Sequence, residues 1–345
     1  MRSSHGGDIY RNQVAYDFSV NVNPFGMPKA CEKAIIDSLR MASCYPDCVM
    51  AELRKKIAEK EFGAEADEVI LGNGASELIY AICQYLKPEK ALVTAPSFRE
   101  YEAGIQISGG EVLYESLDAE ADFIVTERIL ERITPEVKLL FLCSPNNPTG
   151  QVLEKELLTK VAKVCEETGT FFCLDECFLP FMEEEESYTM KNELRRFPHL
   201  MILKAFTKIY GMAGIRFGYL LSSNVELLDN IREVMQPWNV SIPAQAAAMA
   251  ALEEDEYILK TKKLIAKERR YLLEELKKLG VRVIGKPAAN FIFFQDKADL
   301  AERFLERGVL IRTCSNYAGL KEGYFRIGVR SPEENRALIR IWNEL

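Results

Sequence analysis

The stretch LMILKAFTKIYGMAGIRFGYLLS, residues 200–222, decides how the rest of the chain is read. Its ends, 200–206 and 217–222, are apolar runs of strand character. The connection between them is too short for a helical crossover, so one strand is expected to run antiparallel. That connection also carries Lys208 and Arg216, with glycines between them. A lysine at the end of a buried strand is costly unless it is paired or neutralised. Its surroundings must therefore supply a reason for it.

Outward from this pair, short apolar runs alternate with helix-period segments. EVILG (68–72), KALVTA (90–95), GEVLYESL (110–117), KLLFLCS (138–144) and TFFCLD (170–175) read as strands. ASELIYAICQYL (75–86), SFREYEAGIQIS (97–108) and EKELLTKVAKVCEETG (154–169) read as the helices between them. This alternation predicts an α/β fold: a mostly parallel, mixed sheet with helices on both faces. A long helical stretch at 237–280 then leads into a smaller α+β unit. That unit uses VRVIGKPAANFIFFQ (281–295), a helix near 298–307, GVLIRTC (308–314), YFRIGV (324–329) and a last helix. Ser331 is expected to cap this helix, with Pro332 in its first position and Glu334 completing a capping box. The expected partition is a segment at 1–40 packing on the small domain, a large domain at 41–250 and a small C-terminal domain at 251–345. EEEE (183–186) reads as a solvated loop.

The chain has 345 residues, of which 48% are apolar and 28% charged, an ordinary balance for a globular protein. Its formal net charge of −8, with no basic patch, argues against a nucleic-acid surface. A small anionic ligand needs only two or three local cations and is compatible with that charge. No run approaches the roughly 18 apolar residues of a membrane span. MRSSHGGDIYRNQVAYDF lacks the apolar core of a signal peptide, and no membrane partner is expected. The nine cysteines lie mostly in apolar runs and read as reduced core residues. With only two histidines, the C-x3-C spacings at Cys44/Cys48 and Cys173/Cys177 give no case for a metal site. The expected location is the cytoplasm.

Four places at strand carboxyl ends carry possible chemistry, since open α/β sheets bind ligands there. Gly72-Asn73-Gly74 leads into a helix at Ala75, whose free N–H groups suit a phosphate; an ordinary tight turn is the competing reading. Asn147, in CSPNNPTG, offers an amide to the cleft or only shapes a turn. Asp175 ends an apolar strand and as a buried carboxylate requires a cationic or strong hydrogen-bonding partner. Lys208 is either a solvated tip or a desolvated, nucleophilic amine. Together they describe a ligand with a phosphate, a group seeking a carboxylate, and a carbonyl open to an amine.

SPNNPTG, DE after a strand, and TK…AGIRFGY, in this order, resemble the fold-type-I pyridoxal-phosphate enzymes of the aminotransferase class I/II superfamily, over essentially the whole chain. The resemblance implies pyridoxal 5′-phosphate as cofactor, joined to Lys208 as a Schiff base, with Asp175 facing the pyridine nitrogen. It further implies Asn147 on the ring oxygen and Phe98 on the ring face. The Ala75 and Ser76 N–H groups, the Thr207 hydroxyl and Arg216 would hold the phosphate. Tyr45 would reach the cofactor phosphate of a neighbouring subunit, which implies a homodimer with shared active sites. Arg326, in YFRIGVR, would grip a substrate carboxylate. Two positions depart from the pattern. Ala205 stands where many relatives have Ser or Thr, and Phe178 where aminotransferases have Tyr.

HGGDIYR, DFSVNVNPFG (17–26), IRTCSNYAGL (311–320) and Phe178 resemble the threonine-phosphate decarboxylases of cobalamin biosynthesis. Histidinol-phosphate aminotransferases, which use glutamate and 2-oxoglutarate, are similar too. The first implies a lyase and the second a transferase, and in either case a phosphorylated amino-acid-like substrate. His5 and Arg312 would then contact substrate, against the alternatives of a solvated terminal histidine and a surface ion pair. Retention of Lys208, Asp175, Asn147, Arg216 and Arg326 disfavours a non-catalytic binding protein.

Overall fold

The computed structural model describes residues 5–61 and 65–345. In chain order its strands are β1 (Tyr16–Asp17), β2 (Val69–Gly72), β3 (Lys90–Ala95), β4 (Glu111–Ser116), β5 (Leu139–Cys143), β6 (Phe171–Asp175) and β7 (Leu200–Ala205). They continue with β8 (Gly218–Leu221), β9 (Arg282–Val283), β10 (Phe291–Gln295), β11 (Val309–Leu310), β12 (Arg312–Thr313) and β13 (Tyr324–Gly328). Seven of them form one sheet in the order β2-β8-β7-β6-β5-β3-β4. Five pair in parallel, whereas β8 is antiparallel to both β2 and β7, as its short connection requires. The fold is the expected α/β type.

Side-chain alternation divides the core. On β5, Leu140 and Leu142 face one layer, and Leu139, Phe141 and Cys143 face the other. On β7, Ile202 faces the first layer, with Leu203 and Ala205 facing the second. Helices Ala75–Leu86, Arg99–Ile107 and Val225–Glu233 cover the second face. Helices Lys155–Thr168, Ile242–Ala251 and Asp255–Lys278 cover the first. Each fully buried large aliphatic side chain stabilises this arrangement by about 1.5–3 kcal/mol. The two-sided apolar strands are therefore committed to the interior.

The last third builds an antiparallel sheet, β12-β13-β10-β9, backed by helix Pro332–Asn343. That helix has the expected capping box between Ser331 and Glu334. The N-terminal segment is shared between the two regions. β1 pairs in parallel with β11, and helix Lys29–Ser38 packs on Ile242–Ala251.

Four local expectations are corrected. The run at 237–280 is two helices, interrupted at 252–254 where the first has ended and Asp255 opens the second. GVLIRTC is split into β11 and β12, which pair with different partners. Strand β7 stops at Ala205, and Lys208 sits in a helical turn, Phe206–Ile209. EEEE is not wholly solvated. Glu185 opens a turn of helix and pairs at 2.8 Å with the half-buried ammonium of Lys262.

Candidate active site

A cavity of about 230 Å³ lies at the carboxyl ends of β5, β6 and β7, closed from the other side by β12 and β13. Of the twelve residues expected at the site, eleven line it: His5, Ala75, Ser76, Phe98, Asn147, Asp175, Thr207, Lys208, Arg216, Arg312 and Arg326. Tyr45 does not. It is 77% exposed and stacks on Trp238 at 4.5 Å, away from its own chain's cavity.

The two ends of β6 and β7 aim the central pair. Asp175 closes β6 on the same face as Ala205, and the turn after Ala205 carries Lys208 into the cavity. Asp175 is buried and has two donors: the Tyr101 hydroxyl at 2.6 Å to Oδ2 and the Cys177 N–H at 2.8 Å to Oδ1. Burial raises its pKa, and the hydrogen bonds from Cys177 and Tyr101 oppose that rise. Lys208 is partly exposed only because it faces the cavity. Desolvation, then the nearby positive charges of Arg326 and Arg216, bring its pKa down from 10.5 to about 8. The lysine is thus poised as an amine near neutral pH.

At the opposite end, Gly74 precedes helix Ala75–Leu86 with a φ of +79°. A side chain at Gly74 would put its Cβ 2.6 Å from Arg216 Nη2, so only glycine lets the guanidinium lie against this helix start. Among the described residues Arg216 has no ion-pair partner. Its Nη1 donates only to the Ala213 carbonyl, at 3.3 Å. Free helix N–H groups, the Thr207 hydroxyl and an unneutralised guanidinium together fit a phosphate.

Asn147 joins the two sides. Its Oδ1 accepts from Arg326 Nη1 and from the Tyr317 hydroxyl at 3.3 Å. A guanidinium can only donate, so the amide oxygen must face Arg326 and the amide NH₂ faces away from it. Arg326 also donates from Nη2 to the Ser19 carbonyl at 2.9 Å, while its buried Nε has no hydrogen-bond partner among the described residues. On the neighbouring strand, in register with Arg326, Arg312 donates to Thr313 O at 2.8 Å and Asn316 Oδ1 at 2.9 Å. His5 Nε2 lies 3.2 Å from Glu100, whose other oxygen accepts from Tyr80 at 2.8 Å.

Arg216 without an ion-pair partner among the described residues, the Gly74 cradle and the depressed Lys208 fit a phosphorylated carbonyl cofactor, and Arg326 beside them fits an anionic substrate. Phe178 meets Phe291 edge-on at 4.9 Å, and its side chain brings no hydroxyl to the cavity it lines. The sequence pattern misses Tyr101 and Tyr317. Tyr101 follows Phe98 by three residues, a helical spacing that turns both to one side. Tyr317 lies in a loop, where no periodicity marks it.

The family model for aminotransferase class I and II matches residues 14–341. The chain belongs to this family. Its members are pyridoxal-phosphate enzymes with the fold-type-I architecture. The chain is similar to the threonine-phosphate decarboxylase of Salmonella typhimurium, at 33% identity over 98% of this chain and 95% of that protein. It is also similar to histidinol-phosphate aminotransferase 2 of Archaeoglobus fulgidus, at 32% identity over 97% of this chain and 94% of that one. Among solved structures, the histidinol-phosphate aminotransferase of Clostridium acetobutylicum superposes with a TM-score of 0.89 at 31% identity, covering 95% of this chain and 98% of that one.

Proposed function

We propose that this chain is a pyridoxal-5′-phosphate-dependent decarboxylase of L-threonine O-3-phosphate, a lyase of cobalamin biosynthesis. The observation that carries the reading is a pair of arginines in cross-strand register, Arg312 and Arg326, lining one cavity with Lys208. Arg326 sits beside Lys208 and Asn147, whereas Arg312 and His5 also line an adjoining cavity of about 610 Å³. A substrate with a carboxylate and a phosphate a few bonds apart suits two such anchors. Histidinol phosphate carries only one anionic group, whereas glutamate, the co-substrate of the aminotransferase reading, carries two carboxylates.

The cofactor would be held by Lys208, Asp175, Phe98 and Asn147 around its ring. Ala75, Ser76, Thr207 and Arg216 would take its phosphate. Bound there, it would supply an electron sink for the bond broken at the substrate Cα. Arg326 orients the carboxylate that leaves as carbon dioxide. Lys208, with its pKa of about 8, can hold the proton that returns to Cα. The product is an aminopropanol phosphate, and no 2-oxo acid is needed.

The test is to incubate the enzyme and cofactor with threonine phosphate and measure carbon dioxide. Untouched threonine phosphate with glutamate consumed would overturn the reading. It would instead establish the second one, aminotransfer of the histidinol-phosphate type with 2-oxoglutarate, which the names of the Archaeoglobus and Clostridium relatives favour. Exposed Ile36, Leu39, Met41, Tyr45, Val49 and Trp238 support a homodimer in which Tyr45 reaches the second copy's cofactor phosphate. Sedimentation as a monomer at micromolar concentration would rule that out. Reduced cysteines and the lack, among the described residues, of a helix able to cross a membrane support a cytoplasmic enzyme. Residues 41–250 would form its cofactor-binding domain and 251–345 its small domain.

A further inference from the structure

The first turn of helix Arg99–Ile107 sends three neighbouring side chains to three different tasks. Phe98, just before it, borders the cavity. Glu100 takes the His5 and Tyr80 contacts. Tyr101 goes inward and is fully buried, its ring stacked on Phe141 of β5 at 4.8 Å and 6° and its edge against Phe98 at 5.6 Å. Its hydroxyl ends 2.6 Å from Asp175 Oδ2. A tyrosine in an apolar layer needs one partner for its O–H. Any backbone carbonyl would satisfy that need. Here the partner is instead a buried carboxylate whose other oxygen is already fixed by the Cys177 N–H.

We infer that Tyr101 is a positioning residue that holds the Asp175 carboxylate, through one charge-assisted hydrogen bond, in the orientation that faces the cofactor's ring nitrogen. The inference rests on the proposed reading of Asp175 as that nitrogen's partner. A carboxylate at a strand end can rotate about its last bond. The Cys177 N–H restrains one oxygen, and Tyr101 restrains the other. Stacking on Phe141 fixes the ring plane, so the hydroxyl position is set by the sheet and not by the ligand. The other titratable groups facing this pair are Cys143 of β5, Cys173 of β6, Cys177 and Lys208. Burial raises the pKa of all three thiols well above the ordinary value, so they stay protonated at neutral pH. Asp175 thus depends on Tyr101 and Cys177 for hydrogen bonds and on Lys208 for opposite charge.

Tyr101→Phe removes the hydroxyl and retains the ring that packs on Phe141. Loss of a hydrogen bond to a charged group is expected to weaken retention of pyridoxal 5′-phosphate about tenfold, and to move the pH titration of the bound cofactor's visible band by about one unit. The control uses a cofactor analogue with carbon in place of the ring nitrogen. With that analogue wild type and Tyr101→Phe should titrate alike, because Asp175 then has nothing to face. An unchanged titration of the variant with pyridoxal phosphate overturns the inference. So does a shift that persists undiminished with the carbon analogue, since Tyr101 would then act only on packing. A wild-type protein that develops no visible band with pyridoxal phosphate refutes the cofactor reading itself, and the Tyr101 assignment with it.

Discussion

Lys204→Met tests the buried charge network on the side of the sheet opposite the cofactor cavity. Lys204 lies on β7 four residues before Lys208, but the strand's alternation sends it to the other face, where it is 3% exposed. Its ammonium donates to both oxygens of Glu61, at 3.0 and 2.9 Å, and lies 3.8 Å from Glu185. Removing the ammonium leaves Glu185 with Lys262 and, among the described residues, Glu61 with the Tyr219 hydroxyl at 2.6 Å. Stripping one partner from a buried pair costs about 3–5 kcal/mol, against about 0–1 kcal/mol for a surface pair. Glu61 retains 11% side-chain exposure and the Tyr219 bond, which places the expected loss near the lower end, about 3 kcal/mol. The double variant Lys204→Met/Glu61→Leu should recover most of it, because an apolar pair of similar size leaves no buried charge; about 1 kcal/mol stays lost with the Tyr219 partner. Urea unfolding of the apoenzyme, with refolding verified, reads all three proteins. Burial pushes the Glu61 carboxyl up, but Lys204 and Tyr219 outweigh it and hold the group below the usual carboxylate range. The pair's stabilisation is therefore present above the ordinary carboxylate pKa and is lost as pH falls through the depressed value. The gap between wild type and Lys204→Met must narrow in acid. A single variant within about 0.5 kcal/mol of wild type, or a double variant weaker than the single, refutes this account.

Three other perturbations probe the cavity and its surroundings. With Lys208 at about 8, the rate at which apoenzyme captures pyridoxal phosphate should rise through that pH; Arg326→Gln removes a repelling charge and should move the rise to higher pH, as followed by the visible band. Glu176 is fully buried, and burial raises its pKa from 4.5 to about 7, so the native state holds a proton there that the unfolded chain loses. Its contribution makes stability fall as pH rises between those values, and Glu176→Gln should gain on wild type between pH 5 and pH 8 in urea midpoints; parallel midpoints would contradict this. Gly74→Ala drives a Cβ into Arg216 at a φ of +79° and should cut cofactor retention by about tenfold or more, measured by dialysis; unchanged retention would remove Arg216 from the phosphate seat.

The legible parts of this chain are those in which local pattern and tertiary role coincide. Strands β2, β3, β5 and β6 appear as apolar runs because both faces of the sheet are covered there, and the antiparallel β8 follows from loop length alone. Ala75 and Asp175 were readable because one begins a helix and the other ends a strand, positions that backbone chemistry already marks, whereas Phe98, Thr207 and Arg326 were reached only through the family motifs. Lys204 was not readable. Four positions separate it from Lys208, and only the strand's alternation, followed by the turn after Ala205, sends the two to opposite sides. Glu185 hid inside an acidic run for a similar reason. Its partner, Lys262, lies far along the chain, and composition carries no information about such a pairing. Tyr45 is exposed and lies outside its own chain's cavity, and its proposed role toward a second copy came from the family motif alone.

The hydrogen bonds around Arg326 have a consequence for selectivity. The Asn147 amide oxygen and the Ser19 carbonyl already solvate two of its nitrogens, in place of water. An arriving ligand therefore competes with neutral protein oxygens at a guanidinium that has already been dehydrated. A hydroxyl or an amide offers such a cation little that those oxygens do not already provide. A full negative charge offers more, because a charge-assisted hydrogen bond is the stronger one. By occupying the arginine with weak acceptors, the fold discriminates against uncharged ligands before any reaction begins.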